Sequence, residues 1–419
     1  MSKKDFSYLY NQDYYKFKDL NHFVKKEMGF KVLQNAVVLP YKDDNGNTGG
    51  GVVDENGIFI ESSSVHTKYG YGYKYETAIE DDCAIYLGMF SECWGHCITD
   101  NIRRLWFLKT KEYIEYFGKY KLIYVPMEGR MGESFWSLLR IIGVDPDRIT
   151  PVTEITKFGT IILPDESFYT IDGEVRYFTQ EYIDTIDSVR NYAKEHYKQL
   201  SFNKVYFTYS NYKDGKTCGE KKLEQFFAAQ GYEIIAPEKY SFEEQLNFLV
   251  NCTDFASTIG SCAHNMIFLN DGSSVILIPR AYYLTGYQMA LDDVIDLNIT
   301  YIDSSLSVLT SNVCPWWGPF CYFVSEKLLE YFNIEKKEDS TFWKDNLKDF
   351  TEYLHEKGKI KNLEERISPK FYYSEVLRYL KRYQRKDAIY LRRIRIRSKI
   401  DKAVLKTKIV LKNTGCEKK

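Results

Sequence analysis

The chain has 419 residues, of which 44% are hydrophobic and 27% are charged, and its net charge at pH 7 is −1. This composition is typical of a folded, water-soluble protein, and the length predicts at least two domains. No run of about 18 apolar residues and no apolar N-terminal core is present, so we expect neither a membrane-spanning helix nor a secretory signal.

Nine cysteines are scattered along the chain, and none forms a paired CxxC array. A structural zinc ribbon is therefore not expected. An odd number of cysteines in a chain of this size favours free thiols in a reducing cytosol. The cysteines therefore predict a cytoplasmic protein.

The first 200 residues contain a β-rich segment followed by alternating strands and helices. Glycine clusters, an Asn-Gly turn signal and short alternating runs predict strands and loops over residues 1–73. Buried strands and amphipathic helices then alternate, which is typical of a parallel, wound sheet. The predicted strands are 81–90, 120–126 and 158–167, and the predicted helices are 94–110, 134–144 and 180–200.

The same alternation restarts after residue 200, so the predicted fold class is α/β with two similar halves. The second set has predicted strands at 203–210, 233–237, 254–260 and 273–280 and predicted helices at 219–232, 241–252 and 261–269. The predicted organisation is a β-rich N-terminal segment (1–73), a first α/β domain (74–200), a second α/β domain (201–305), a helical return segment (306–360) and a basic amphipathic tail (361–419).

A histidine and an aspartate interrupt the apolar segment "CWGHCITDNIRRLWFL" (93–108). His96 and Asp100 are four residues apart, so on a helix both project from one face. The segment follows a strand, and in an open α/β sheet ligands bind at the carboxyl ends of the strands. A histidine that is oriented by a carboxylate can act as a general base. The alternative is a helix cap beside a buried core histidine.

A second candidate site lies in "STIGSCAHNMIF" (257–268). Gly260, Ser261 and Cys262 form a strand-to-helix turn of small residues, whose backbone N–H groups could face an anion. The Walker pattern is absent, and a tight turn alone explains the glycine equally well. Just upstream, Ser241 and Glu244 match a capping box, which predicts a helix start.

Carboxylates elsewhere give weaker indications. Glu238 ends a predicted strand, from which it could accept hydrogen bonds from ribose hydroxyls, whereas Gln245 on the next helix could simply pack. The acidic pairs at 81–82 and 292–293 are interpreted as surface turns or helix faces, and neither pair forms a clear DxD pattern. We therefore expect no cofactor and no metal ion.

The C-terminal segment is strongly basic. Residues 377–412 contain 14 Lys and Arg and two Asp; since 417–419 add one positive charge, the net −1 of the chain leaves −14 on residues 1–376. Bulky apolar residues alternate with the basic ones, so a helix here would be amphipathic and suited to an anionic membrane surface. A solvated helix and a helix packed on the acidic body are alternatives. The tail lacks the aromatic organisation of a nucleic-acid module, so no nucleic acid is expected as a partner.

Two ordered stretches resemble glycosyltransferase family 61. The stretch "GMFSECWGHCITDNIRRLWFL" (88–108) is similar to the Gly-His…Asp motif of that family, and residues 204–280 resemble its C-terminal half. The likeness covers about residues 50–305. It implies a GT-B architecture of two Rossmann-like domains facing a cleft, a nucleotide-sugar donor, and transfer with inversion. Bacterial members of the family usually serve surface polysaccharide assembly, such as capsule or lipopolysaccharide.

The resemblance also implies roles for individual residues. It makes His96 the catalytic base and Asp100 its partner, or the reverse. The leaving diphosphate would meet the Gly260–Asn265 turn, Arg280 and a lysine such as Lys213, Lys216 or Lys221. His264 could touch the donor phosphate or only pack on its helix. The donor-binding residues that it implies are Thr208, Tyr209, Lys213, Gly219, Glu220, Glu238, Gln245, Gly260, Ser261, Cys262, His264, Asn265 and Arg280.

One position departs from the family pattern. Many relatives have arginine where this chain has Tyr209, which motivates the alternative of a non-catalytic relative that binds glycan or partner enzymes. A dinucleotide-dependent dehydrogenase is disfavoured because the G-x-G-x-x-G fingerprint is absent. The predicted function is an inverting glycosyltransferase that acts on a glycan or lipid-linked acceptor, bound peripherally to the inner face of the cell membrane through the basic tail.

Overall fold

The fold is described from a computed structural model of the chain. The described residues are 2–11, 15–42, 48–64, 71–72, 78–127, 129–171, 174–211, 217–281, 284–306, 318–337 and 342–359, together with Ser374 and Arg378. The predicted basic tail therefore lies almost wholly outside the described residues.

Strands and helices alternate along most of the described chain. The strands are β1 Lys3–Tyr8, β2 Phe30–Leu39, β3 Gly51–Val53, β4 Phe59–Ile60, β5 Ile79–Phe90, β6 Lys121–Pro126, β7 Ile149–Pro151, β8 Thr156–Pro164, β9 Phe168–Thr170, β10 Arg176–Phe178, β11 Lys204–Phe207, β12 Thr217–Cys218, β13 Glu233–Ile235, β14 Asp254–Thr258, β15 Ser274–Ile278, β16 Asn298–Ile302 and β17 Phe320–Cys321. The α-helices are α1 Trp94–Cys97, α2 Glu133–Ile142, α3 Gln180–His196, α4 Glu220–Ala229, α5 Phe242–Asn251, α6 Ser261–His264, α7 Gly286–Leu291, α8 Glu326–Tyr331 and α9 Phe342–Lys359. Short 3₁₀ helices cover Glu61–Ser63, Leu105–Lys109, Pro146–Arg148, Pro237–Lys239 and Asn265–Phe268, and a π-helical turn covers Tyr113–Phe117.

Two large sheets carry the fold, and the α/β prediction is confirmed. The first sheet has the order β4-β3-β2-β8-β5-β6-β7, in which β8, β5, β6 and β7 run parallel and β2 pairs with β8 in the antiparallel sense. The second sheet has the order β1-β16-β15-β14-β11-β13 and is parallel throughout. Its central strands are nearly continuous apolar runs because both faces are covered.

The N-terminal segment contributes strands to both sheets. Strand β1 pairs with β16 in the second sheet, whereas β2, β3 and β4 extend the first sheet. Sequence patterns could not foresee this division, because the pairing of β1 with β16 joins residues almost 300 positions apart. Between the sheets, α3 packs against α2 of the first half and α5 of the second, and one cluster of buried side chains runs through all three helices.

Several local predictions are confirmed by the helix ends. Helix α2 stops at Gly143, whose φ of +94° allows the left-handed C-terminal turn. Helix α5 begins with the predicted capping box: the Glu244 N–H donates to Ser241 Oγ and the Ser241 N–H donates to Glu244 Oε2 at 2.8 Å. Among the described residues, no helix has the length and apolar character that crossing a bilayer requires.

The helix predicted over residues 94–110 is wrong. Helix α1 ends at Cys97, and the chain continues in turns before the 3₁₀ segment Leu105–Lys109. Polar side chains compete with the helical hydrogen bonds: Asn101 exchanges two hydrogen bonds with the Ser91 backbone, and Thr99 Oγ1 donates to the Gly95 carbonyl at 2.8 Å. The apolar spacing was a correct sign of burial but not of a continuous helix.

The surface position predicted for the acidic pair at 292–293 is also wrong. Asp292 is fully buried and Asp293 is 8% exposed. Asp292 accepts hydrogen bonds from Gln288 Nε2 at 3.0 Å and Tyr301 Oη at 2.5 Å, while Asp293 pairs with Lys4 Nζ at 2.8 Å. Strand β1, which the sequence did not place, brings the lysine that makes this burial possible.

Candidate active site

His96 and Asp100 form a hydrogen-bonded couple beside α1. His96 Nδ1 lies 2.5 Å from Asp100 Oδ2, although the turn after Cys97 rather than a continuous helix brings them together. An ionised carboxylate only accepts, so in this pair Nδ1 carries the proton and the lone pair of the neutral ring is on Nε2. This is the tautomer that a general base needs.

Asp100 is buried, and several donors surround it. Its Oδ2 also accepts from Tyr287 Oη at 2.8 Å, and Arg103 Nη1 lies 3.7 Å from its Oδ1. Burial raises the pKa of Asp100, but the hydrogen bond and charge of His96, with Arg103 and Tyr287, outweigh burial and hold that pKa below its usual range. Asp100 is therefore a carboxylate.

The imidazole of His96 is more basic than usual. Its side chain is 26% exposed, and burial lowers its pKa. The hydrogen bond to Asp100 and the charge of that carboxylate outweigh burial and raise the pKa of His96, while the positive charge of Arg176 acts in the opposite direction. The couple can therefore take up a proton and stabilise the resulting imidazolium.

Two buried arginines fix the turn that carries Asp100. Arg103 Nη2 and Arg104 Nη2 lie 2.9 Å and 3.1 Å from Glu166 Oε1. Arg104 also donates to the Ser62 carbonyl, and burial lowers its pKa to about 10, so it stays charged at neutral pH. These arginines tie the turn to the first sheet and account for the polar residues in an otherwise apolar segment.

The couple lies where the two halves of the molecule touch. Trp94 Nε1 donates to Asn265 Oδ1 at 2.9 Å, and Cys93 Sγ lies 3.7 Å from Ser261 Oγ. Gly95 permits this close approach of α1 and α6, because a Cβ atom there would lie 3.0 Å from His264 Nδ1. The two motifs singled out in the sequence therefore meet in space.

A cleft of about 560 Å³ opens beside this contact, which is a usual volume for a small-molecule site. His96 is not among its lining residues; its ring makes an edge-to-face contact with Tyr287, with 5.4 Å between the ring centroids. The lining combines aromatic faces with polar and carboxylate groups from both halves. It consists of Glu92, Cys93, Trp94, Cys97, Gly132, Ser134, Phe135, Tyr209, Pro237, Glu238, Gln245, Ser261, Cys262 and Asn265.

Arg280 is the cation next to the Gly260 turn. A Cβ atom at Gly260, whose φ is +150°, would lie 2.7 Å from Arg280 Nη1, so the glycine leaves room for the guanidinium. The guanidinium also stacks over Phe320, with Cζ 4.7 Å from the ring centroid. This stacking fixes the plane of a group that can bind a phosphate through two hydrogen bonds.

Glu238 and Gln245 occupy one wall of the cleft. Glu238 lies in a 3₁₀ turn and is exposed, so its carboxylate can accept hydrogen bonds from a ligand. Gln245 is buried, and its Nε2 donates to the carbonyls of Pro237 at 2.9 Å and Tyr240 at 3.1 Å. In the structure Gln245 thus holds the turn that carries Glu238.

Four further predicted donor residues lie at the end of β11 and the start of α4. Tyr209 lines the cleft, and its N–H donates to the buried carboxylate of Glu220 at 2.9 Å. Burial raises the pKa of Glu220 to about 7, against the hydrogen bond from Tyr209. Thr208 is buried and donates to Glu224 at 2.6 Å, and Gly219 leaves room for the Tyr322 carbonyl. Of the four, only Tyr209 reaches the cleft, and the others support its wall.

Of the remaining predicted residues that the structure describes, His264 and Cys262 are buried and Lys221 is exposed. His264 is buried, and burial, with the charges of Arg280 and His96, lowers its pKa to about 3, so the ring is neutral. Burial raises the pKa of the Cys262 thiol, which is therefore protonated. Lys221 is exposed on α4, whereas Lys213 and Lys216 lie outside the described residues. Among the described residues no group of three or more His, Cys, Asp or Glu could hold a metal ion.

Sequence reasoning missed Tyr287 and Arg176. Tyr287 is 187 residues from Asp100, and the guanidinium of Arg176 lies over the Tyr287 ring with Cζ 4.3 Å from its centroid. Neither residue belongs to a motif, so only the tertiary fold reveals that they surround the couple.

A family model described as Glycosyltransferase 61 matches residues 94–276. This range begins at α1 and ends in β15, so it contains the couple and the Gly260 turn, whereas Arg280 and Tyr287 lie beyond it. None of the curated proteins that were compared matches the chain. The predicted resemblance to glycosyltransferase family 61 is confirmed over the matched residues.

Proposed function

We propose that this chain, whose residues 94–276 are a glycosyltransferase family 61 region, transfers a sugar with inversion from a nucleotide-sugar donor to a hydroxyl of a glycan or lipid-linked acceptor. His96 acts as the general base and Asp100 as its partner. The observation that carries this proposal is the 2.5 Å contact between the two side chains at the meeting point of the two halves.

Inversion by a single displacement sets the chemistry. The acceptor hydroxyl attacks the anomeric carbon while its proton passes to His96 Nε2, and the bond to the donor phosphate breaks. Asp100 stabilises the imidazolium that forms. The nucleoside diphosphate leaves with additional negative charge. We expect Arg280, which lies beside the Gly260 turn but is not among the residues that line the cleft, to offset this charge. We propose that Arg280 performs this task without a metal ion.

The donor would occupy the 560 Å³ cleft. Aromatic faces such as those of Trp94 and Tyr209 can stack on a base or a sugar, and Glu238 can accept hydrogen bonds from hydroxyl groups. The arrangement that we propose is GT-B, with the first sheet and the second sheet as the cores of two facing domains. The parallel strands of both sheets and the lining of the cleft by both halves support it.

A donor screen tests the proposal. Thermal unfolding of the full chain is measured with a panel of nucleotide sugars, and one of them is expected to raise Tm and to be slowly hydrolysed. Arg280→Gln is expected to weaken binding of that donor roughly 10- to 100-fold, because a charge-assisted bidentate contact to phosphate is lost. Lys121→Gln removes an exposed cation paired with Asp81 and serves as the control.

Two outcomes of the screen would contradict the proposal. If no nucleotide sugar raises Tm, the proposal that the chain binds a nucleotide-sugar donor is disproved. Stabilisation without any hydrolysis or transfer would favour the second candidate, a non-catalytic relative that binds glycan or partner enzymes, which Tyr209 in place of the family arginine motivates.

We further propose that the protein works in bacterial surface polysaccharide assembly, held on the cytoplasmic face of the cell membrane by residues 361–419. Replacing Arg392, Arg393, Arg395 and Arg397 by Gln in the full chain is expected to weaken binding to anionic liposomes at least about 100-fold, since each charge near the surface contributes about 1 kcal/mol. Cosedimentation measures this. Four Gln substitutions at the exposed Lys31, Lys111, Lys119 and Lys194 are the control, and an equal loss in both variants would disprove a specific role of the tail.

A further inference from the structure

Tyr287 reaches the couple from the second half of the molecule. It is the second residue of α7, which follows the second sheet's β15. Gly286 lets α7 press against the β9–β10 hairpin, because a Cβ atom there would lie 1.9 Å from the Glu174 carbonyl oxygen. The ring of Tyr287 is then enclosed by Arg176 on one side and by Phe168, whose ring centroid lies 5.9 Å away and nearly parallel.

The enclosed tyrosine contacts both members of the couple. Its hydroxyl donates to Asp100 Oδ2 at 2.8 Å, the same oxygen that accepts from His96 Nδ1. The edge of one ring faces the other in the His96–Tyr287 pair, at an interplanar angle of 90°. One side chain therefore restrains the carboxylate by a hydrogen bond and the imidazole by packing.

Charged and titratable groups face His96 from each surrounding element. They are Cys93 before α1, Asp100 on the following turn, His264 on α6, Arg176 on β10 and Tyr287 on α7. Of these, Asp100 and, to a smaller extent, Cys93 raise the pKa of the imidazole, and Arg176 lowers it. Tyr287 acts through Asp100, because its hydroxyl withdraws negative charge from the oxygen that faces the ring.

We propose that Tyr287 is a positioning residue, which holds the His96–Asp100 couple in a fixed orientation from the opposite half of the molecule and moderates the charge that Asp100 presents to His96. The base is thus assembled from both halves, and only their packed arrangement completes it. The inference rests on the proposed role of His96 as base for its catalytic meaning, but its contacts can be tested on the protein alone.

Tyr287→Phe removes the hydroxyl and keeps the ring. Because Asp100 then loses a donor, its negative charge acts more fully on His96, and the apparent pKa of His96 is expected to rise by roughly half a unit or more. NMR titration of histidine-labelled full-length protein measures this, with His96→Gln identifying the signal. In a transfer assay the acidic limb of kcat/KM is expected to move in the same direction.

Tyr182→Phe is the matched control. The Tyr182 hydroxyl is buried and donates to the Ile98 carbonyl at 2.6 Å, and its ring packs on the same Phe168. It feels the charge of Asp100, but no hydrogen bond or ring contact joins it to His96 or Asp100. We expect Tyr182→Phe to lower Tm about as much as Tyr287→Phe does, because each variant loses one hydrogen bond. The pKa of His96 is expected to stay unchanged in Tyr182→Phe. An unchanged His96 pKa in Tyr287→Phe, or an equal shift in Tyr182→Phe, would overturn the proposal.

The two readouts keep this inference separate from the proposed function. A shifted His96 titration in a protein that transfers no sugar would support the role of Tyr287 and contradict the function. If the protein transfers sugar but the pKa of His96 is the same in Tyr287→Phe as in the parent, the function is supported and the role of Tyr287 is contradicted.

Discussion

His96→Gln is expected to lower kcat at least about 100-fold, because proton removal from the acceptor would lose its base. Glutamine keeps a polar side chain of similar reach but cannot take up a proton. The affinity for the donor is expected to change less than about threefold, since His96 does not line the cleft. Steady-state kinetics with saturating acceptor and donor titration by calorimetry measure the two quantities.

The control for this variant is His196→Gln. His196 ends α3 with its Nδ1 bonded to the Tyr192 carbonyl; it is exposed, and it is not one of the predicted site residues. Its substitution is expected to leave kcat unchanged. Turnover of His96→Gln within a few-fold of the parent enzyme would remove His96 from the mechanism and would leave Asp100 as the candidate base.

Asp292→Asn is expected to become more stable relative to the parent protein as the pH rises. Burial raises the pKa of Asp292 from 3.8 to about 7, against the charge of Lys4 and the hydrogen bonds from Tyr301 and Gln288. The folded state therefore binds a proton more tightly than the unfolded state, so stability falls as pH rises through this range. The free energy of unfolding of the variant minus that of the parent is expected to increase by about 2–3 kcal/mol between pH 5 and pH 8.

Urea unfolding at the two pH values measures this gain, and the neighbouring carboxylate supplies the control. Asp293→Asn leaves the Lys4 ammonium, whose side chain is 10% exposed, without its carboxylate partner. The free energy of unfolding of Asp293→Asn is expected to be about 3 kcal/mol lower than that of the parent at both pH values, because a mostly buried charge is left unpaired. A gain for Asp292→Asn that does not depend on pH would mean that the Asp292 carboxyl is not protonated in the folded state.

The α/β class was predictable because it depends on short-range patterns. Apolar runs such as 120–126 and 254–260 match β6 and β14, and the capping box at Ser241 and the glycine at Gly143 mark real helix ends. These signals depend on residues within a few positions of one another. For the same reason they failed at residues 94–110, where Asn101 bonds to Ser91, ten residues earlier, and Arg104 bonds to Glu166, 62 residues later.

The candidate site was predictable only in part. The spacing of His96 and Asp100 predicted that they lie close together, but a turn after Cys97, and not the predicted helix, brings them into contact. The Gly260 turn was predicted from its place at the end of a strand. The roles of the other residues stay predictions. Gln245 lines the cleft and also holds the turn of Glu238, whereas Gly219 and Thr208 contact neighbouring elements and do not line the cleft.

The sequence by itself allowed three features to be predicted: the α/β class, the family resemblance and the proximity of His96 and Asp100. Each of them depends on short segments of the chain, in which the informative residues are close together. Only the tertiary structure decided that β1 completes the second sheet, that Asp292 and Asp293 are buried, and that Tyr287 contacts Asp100 across 187 residues. Such contacts depend on how separate elements pack. The free energy that fixes them comes from burial and hydrogen bonding between segments, which no local pattern records.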